Sequence, residues 1–157
     1  MTTIREIREA LGQMLTIGFK GTKPTPFVKR FFESGGGGGV ILFRRNLGSA
    51  AEIMELNRQL RAMSPRSIPY LMVDQEGGPV MRLREVATHV PSMGKVGAFP
   101  GVDEARQAGE ILGEEVRALG FNVNCAPVLD VDSNPENPII GERSFSSDPN
   151  RVGHLGE

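Results

Sequence analysis

Short apolar runs alternate with amphipathic stretches along this chain, and that alternation constrains the fold more than any other feature. Val40-Ile-Leu-Phe43 is an unbroken apolar run suited to a strand covered on both faces. Leu15-Thr-Ile-Gly-Phe19, Tyr70-Leu-Met-Val73 and Phe121-Asn-Val-Asn-Cys-Ala126 complete a set of strands, and a helical pattern precedes each one. Thr3 and Glu6 form a capping box ahead of Ile4, Ile7, Leu11 and Leu15, with the helix ending near Gly12 to Met14. Pro26 opens a short helix through Phe32. Ser49 and Glu52 cap a helix striped by Ile53, Leu56, Leu60 and Met63, and Pro65 and Pro69 close it. Another runs from about Asp103 to Leu119, with Ala105, Ala108, Leu112 and Leu119 inward and Gly120 as its stop.

Helix-then-strand repetition implies right-handed crossovers and a parallel α/β sheet. The 157 residues suffice for one domain spanning 1–157, but fall short of the ~250 of a usual (β/α)8 barrel. Asp148-Pro149 is a further helix start, and little chain follows it. A helix that short is marginal in isolation, since roughly 12–15 residues are needed even for good helix formers. The expectation is therefore the first four β/α units of a TIM-barrel-type parallel (β/α)8 fold, a half-barrel.

In parallel αβ sheets, ligands bind at the carboxyl ends of the strands. Polar clusters stand there: Asp74-Gln-Glu-Gly-Gly78 follows one strand, and Asp130 and Asp132 follow another. Such a mouth suits a polar, hydroxyl-rich small molecule. Eighteen basic residues against nineteen acidic ones give a net charge of -1, so nucleic acid and anionic membranes are not expected partners. No apolar run reaches the ~18 residues of a membrane span, and the charged N-terminus lacks a secretory signal core. A single cysteine precludes an internal disulfide and is compatible with a reducing cytoplasm. The segment from Pro79 to Pro100 has no clean periodicity, and loops that long are often functional.

Four motifs in order carry a family resemblance: Gly38-Gly-Val-Ile-Leu-Phe43, Val73-Asp-Gln-Glu-Gly-Gly78, Ala126-Pro-Val-Leu-Asp-Val-Asp132 and Asn134-Pro-Glu-Asn-Pro-Ile-Ile-Gly-Glu-Arg-Ser-Phe145. The sequence resembles the N-terminal part of the glycoside hydrolase family 3 catalytic domain, in particular bacterial β-N-acetylhexosaminidases of peptidoglycan recycling. The resemblance implies a (β/α)8-type barrel that removes terminal N-acetylglucosamine with retention, without metal or organic cofactor. It implies that Asp74 hydrogen-bonds the sugar hydroxyls, that Arg143 contacts the same sugar, and that Arg82 is a third substrate-binding residue. The family's Lys-His pair, His-Asp acid/base dyad and nucleophilic aspartate have no counterpart before Glu157. No catalytic residue is therefore assigned within the chain, and the 157-residue piece is expected to be inactive. Pro79 departs from the arginine usual after Gly-Gly, and proline fixes φ and removes an N–H.

Other readings of the same residues stand beside this one. Asp74 and Arg143 could form a structural salt bridge. Glu76 is expected to brace its turn through backbone N–H groups, with no catalytic role. Asp130 and Asp132, with Asn134 and Asn137, could hold a hard cation, although Asn-Pro and Asp-Ser-Asn segments are ordinary turn formers. Gly35 to Gly39 lacks the Gly-Lys-Ser/Thr ending of a phosphate loop and reads as a flexible connection. His89 and His154 read as surface or loop residues, and Cys125 as a buried small hydrophobe. Beside the hydrolase stand a β-glucosidase-type enzyme of the same family and a non-catalytic sugar-binding half-barrel. Open sheet edges would favour self-association of the latter.

Overall fold

The computed structural model describes residues 2–34, 37–64 and 68–157, so Gly35, Gly36 and Pro65 of the expectations above lie outside the described residues. Contacts divide the chain into two compact units, Met1–Val73 with Arg117–Val123, and Asp74–Val116 with Asn124–Glu157.

In the first unit, α1 (Ile4–Gln13), β1 (Thr16–Ile17), α2 (Pro26–Glu33), β2 (Gly39–Leu42), α3 (Ala50–Ala62) and β3 (Tyr70–Val73) follow in order. Both capping boxes form. The Ser49 hydroxyl accepts from the Glu52 N–H, and the Glu52 carboxylate accepts in return from the Ser49 N–H at 2.8 Å. Thr3 and Glu6 do the same for α1. β1 pairs with β2 and β2 with β3, both parallel, and β2 and β3 align Gly39 with Tyr70 through Leu42 with Val73. Val40, Leu42, Leu71 and Val73 are fully buried, as unbroken apolar runs require, and Ile53, Leu56 and Leu60 of α3 are buried too. The α1 stripe behaves otherwise: Ile4, Ile7, Leu11 and Leu15 are all exposed.

A fourth strand, β6 (Val123–Asn124), lies beside β3 in the sheet order β1-β2-β3-β6. It is much shorter than the expected Phe121–Ala126, and β1 is likewise shorter than Leu15–Phe19. The physical reason near β6 is asparagine chemistry, because Asn side chains compete with backbone groups for ladder partners. The Asn122 amide accepts from the Leu71 N–H at 2.7 Å and donates to the Pro69 carbonyl at 2.9 Å.

The second unit holds β4 (Gln75–Gly77), β5 (Val80–Met81), α4 (Met93–Gly97), α5 (Asp103–Ala118, its last residues falling in the first unit) and α6 (Pro149–Gly156). The region from Pro79 to Pro100, expected as one irregular segment, thus contains β5 and α4. The segment is tied to α5 where Thr88 donates its N–H and hydroxyl to Glu115, at 2.8 and 2.5 Å. Short as it is, α6 forms. Asp148 caps it, and Val152 and Leu155 bury themselves in a cluster with Met93, Val96, Leu112 and Phe145. Tertiary packing of an apolar face supplies what its length does not.

Candidate functional site

Everything at the site belongs to the second unit. Asp74 follows the last residue of β3 directly, and β4 and β5 then make a tight antiparallel hairpin with an irregularity between Gln75 and Gly77. Gly77 and Gly78 have φ of 94° and 55°, values that only glycine adopts readily, and Pro79 occupies the exposed turn. Proline at this position has no ladder N–H to give up. Strand alternation puts Asp74 and Glu76 on one face and Gln75 on the other. Gln75 is buried, its side-chain carbonyl accepting from the Leu83 N–H at 3.0 Å. The Asn124 amide clamps the Gln75 backbone, accepting from its N–H at 3.0 Å and donating to its carbonyl at 2.9 Å.

The two arginines each meet a carboxylate of this strand end. Arg82 Nη2 donates to Asp74 Oδ2 at 3.1 Å, and the Arg82 N–H donates to the Asp74 carbonyl at 3.3 Å. Arg143 stands at the end of a short 3-10 turn (Gly141–Arg143) and reaches Glu76 with two parallel bonds, Nε to Oε2 at 2.8 Å and Nη2 to Oε1 at 2.9 Å. Its Nη1 donates to the Ile139 carbonyl at 3.1 Å. Contact with Glu76 is the chief reason that the Arg143 pKa is raised. The Ser144 hydroxyl, 2.6 Å from the Asp130 carbonyl, ties this turn to the Asp130 loop.

These groups share a cavity of about 430 Å³. Asp74, Glu76, Arg82, Cys125, Asp130 and Arg143 form its polar lining, and Val80, Pro127, Val128 and Leu129 its apolar part. The volume is within the range of roughly 300–1,000 Å³ common for small-molecule pockets. The three residues expected to bind substrate, Asp74, Arg82 and Arg143, are therefore brought together. The alternative of a salt bridge between Asp74 and Arg143 is replaced by crossed pairs, Asp74 with Arg82 and Glu76 with Arg143.

Two expectations change at this site. Glu76 binds a guanidinium instead of bracing its turn through backbone N–H groups, because a buried carboxylate is satisfied better by a bidentate cation. Cys125 is only half-buried and lines the cavity, and its thiol pKa is pushed up by burial first and by Asp74 next. His154 is exposed, as expected of a surface residue, and borders a second cavity, between α5 and α6. His89 is exposed, with Nε2 2.8 Å from the Arg84 carbonyl. Asn134 and Asn137 each accept from the N–H two residues ahead, at 3.1 and 2.9 Å, as turn formers do. Among the described residues, no group of three or more His, Cys, Asp or Glu side chains could hold a metal ion. Glu76 was accessible to sequence reasoning only as a strand-face neighbour of Asp74, since its partner lies 67 residues away.

Residues 6–157 match the glycosyl hydrolase family 3 N terminal domain. The chain belongs to glycosyl hydrolase family 3. It is 37% identical over 145 residues to a beta-hexosaminidase of Idiomarina loihiensis, a match covering 90% of this chain and 43% of that protein. Among solved structures, a family 3 beta-N-acetylglucosaminidase from Paenibacillus sp. superposes with a TM-score of 0.89 at 36% identity, covering 99% of this chain and 30% of that one. NagZ from Neisseria gonorrhoeae in complex with N-trifluoroacetyl-D-glucosamine matches with a TM-score of 0.82 at 30% identity, over 90% of this chain and 44% of the other. The chain thus spans under half the length of these relatives. The parallel strands of β1, β2 and β3 are those of a family whose N-terminal domain is of TIM-barrel type. No helix among the described residues is long and apolar enough to cross a membrane.

Proposed function

We propose that this chain supplies the sugar-binding half of a family 3 barrel, taking the terminal N-acetylglucosamine of a β-N-acetylhexosaminide. One observation carries the reading: Asp74 and Arg143 line a single cavity, each oriented by a second charged residue. Carboxylate oxygens accept hydroxyl protons and a guanidinium donates to hydroxyl or carbonyl oxygens, which suits a pyranose with an N-acetyl group. The charged lining holds three acids, Asp74, Glu76 and Asp130, against two arginines. That balance favours a neutral, hydroxyl-rich ligand over an anionic one. The names of the relatives, beta-hexosaminidase and beta-N-acetylglucosaminidase, support the same class.

In the complete enzyme the reaction would be retaining hydrolysis in amino-sugar metabolism, the peptidoglycan recycling of a cytoplasmic enzyme, with no metal or organic cofactor. The nucleophile and acid/base would come from family motifs that these 157 residues do not contain, and the four β/α units would be the first half of the barrel. Unpaired edges of the sheet would favour association with another chain.

Cys125 provides the test. N-acetylglucosamine should slow alkylation of Cys125 by iodoacetamide in a saturable way, and Asp74→Asn should weaken that protection about tenfold, the cost of one charge-assisted hydrogen bond. Alkylation indifferent to the sugar, or an equal response to glucose 6-phosphate, would remove the proposal.

A further inference from the structure

Arg143 carries five N–H donors in a rigid fork, and its contacts with Glu76 and the Ile139 carbonyl occupy three of them. The other two lie on Nη1 and Nη2, on a side chain that lines the cavity. Glu76 is buried, and its Oε1 and Oε2 each accept one bond from the same guanidinium. Two parallel bonds fix the plane and rotation of a guanidinium, whereas a single bond leaves it to swivel. The position of Glu76 is itself over-determined. Asn124 clamps the preceding residue by its backbone, and Gly77 follows with a φ of 94°.

From this geometry we infer that Glu76 is a positioning residue, which aims the two remaining N–H groups of Arg143 into the cavity and thereby sets the affinity for the ligand. The inference rests on the sugar-binding reading above for the nature of the ligand, but the orientation of Arg143 by Glu76 does not depend on it. Glu76 acts through Arg143 and makes no direct contact with the sugar. Glu76→Gln retains shape and one acceptor but gives up the second, so the fork loses one of its two anchors. Arg143→Gln removes the fork while leaving an amide to donate to Glu76.

Binding of N-acetylglucosamine to the chain and its three variants, followed by NMR titration, forms a double-mutant cycle. Glu76→Gln should weaken binding about tenfold, Arg143→Gln by at least as much, and the double variant no further than Arg143→Gln alone. Equal losses from Glu76→Gln in both backgrounds, or no loss in the first, would overturn the inference, because a residue that touches the sugar or merely supports the fold acts independently of Arg143. A second readout needs no ligand. Exchange of the Arg143 Nε–H with water, its resonance identified by its absence from Arg143→Gln, should speed up about tenfold in Glu76→Gln; unchanged exchange would also overturn the inference. Should the unaltered chain bind no sugar, the proposed function fails and the exchange measurement alone decides the positioning role.

Discussion

Cys125 reports on the same cavity from another direction. Its thiol is half-buried beside Asp74 and Glu76, and removal from water raises its pKa most, with the Asp74 charge and hydrogen bond next. A raised thiol pKa means less thiolate at any given pH, and thiolate is the form that alkylates. The alkylation rate of the unliganded chain should therefore rise with pH along a curve displaced above that of a free cysteine peptide. Asp74→Asn should shift the curve back down only in part, because burial, the larger cause, remains. A curve for the unaltered chain at or below that of the peptide would contradict this environment. The crossed pairs follow the same logic of local charge. Asp74 and Glu76 share one strand face, and two like charges so close are tolerated where each meets a cation.

At the scale of elements, the hairpin of β4 and β5 holds two consecutive glycines at positive φ. A Cβ on Gly77 would stand 2.5 Å from the Pro91 carbonyl oxygen, on a residue whose φ is 94°. Gly77→Ala should destabilise the chain by at least the ~1–2 kcal/mol of a left-handed alanine, with the clash added. Gly109 in α5 has nothing within 4 Å of its would-be Cβ, so Gly109→Ala should leave stability equal or raise it by up to about 1 kcal/mol. Urea midpoints for the pair check both signs at once. Elements of this kind differ in how well the sequence discloses them. The Ser49 and Glu52 box, β2 and β3 were legible because hydroxyl spacing and unbroken apolar runs act locally. The brevity of β6 was not, because Asn122 and Asn124 divert their amides to backbone partners about fifty residues away. Likewise α6 looked marginal by length, and a core contributed by α4, α5 and Phe145 decides that it forms. The site divides the same way: the placement of Asp74 and Arg143 at one cavity was legible through motifs, whereas the assignment of Glu76 to Arg143 needed the fold.

For the molecule as a whole, the proposed function separates binding from turnover. The match to the Idiomarina loihiensis protein covers 43% of that relative, and the charged groups gathered in the cavity are suited to holding a sugar. Retaining hydrolysis needs in addition a carboxylate nucleophile and a proton donor placed about 5–5.5 Å apart. Both oxygens of Glu76 accept N–H bonds from Arg143, and Asp74 Oδ2 accepts from Arg82, so the two carboxyls of this strand face are each engaged with a guanidinium. The 157-residue chain should thus bind N-acetylglucosamine yet release no nitrophenol from a nitrophenyl N-acetylglucosaminide. A ligand at ten times its Kd stabilises the folded state by about 1.4 kcal/mol. For a chain of this size that corresponds to a rise in Tm of roughly 3–6 °C. Thermal melts with and without the sugar, run beside the nitrophenol assay on the same preparation, test both halves. A raised Tm without product is the expected pair of results. Product that scales with chain concentration and is lost in Asp74→Asn would show that these residues suffice for catalysis, and that the division of labour between the halves of the barrel is drawn in the wrong place.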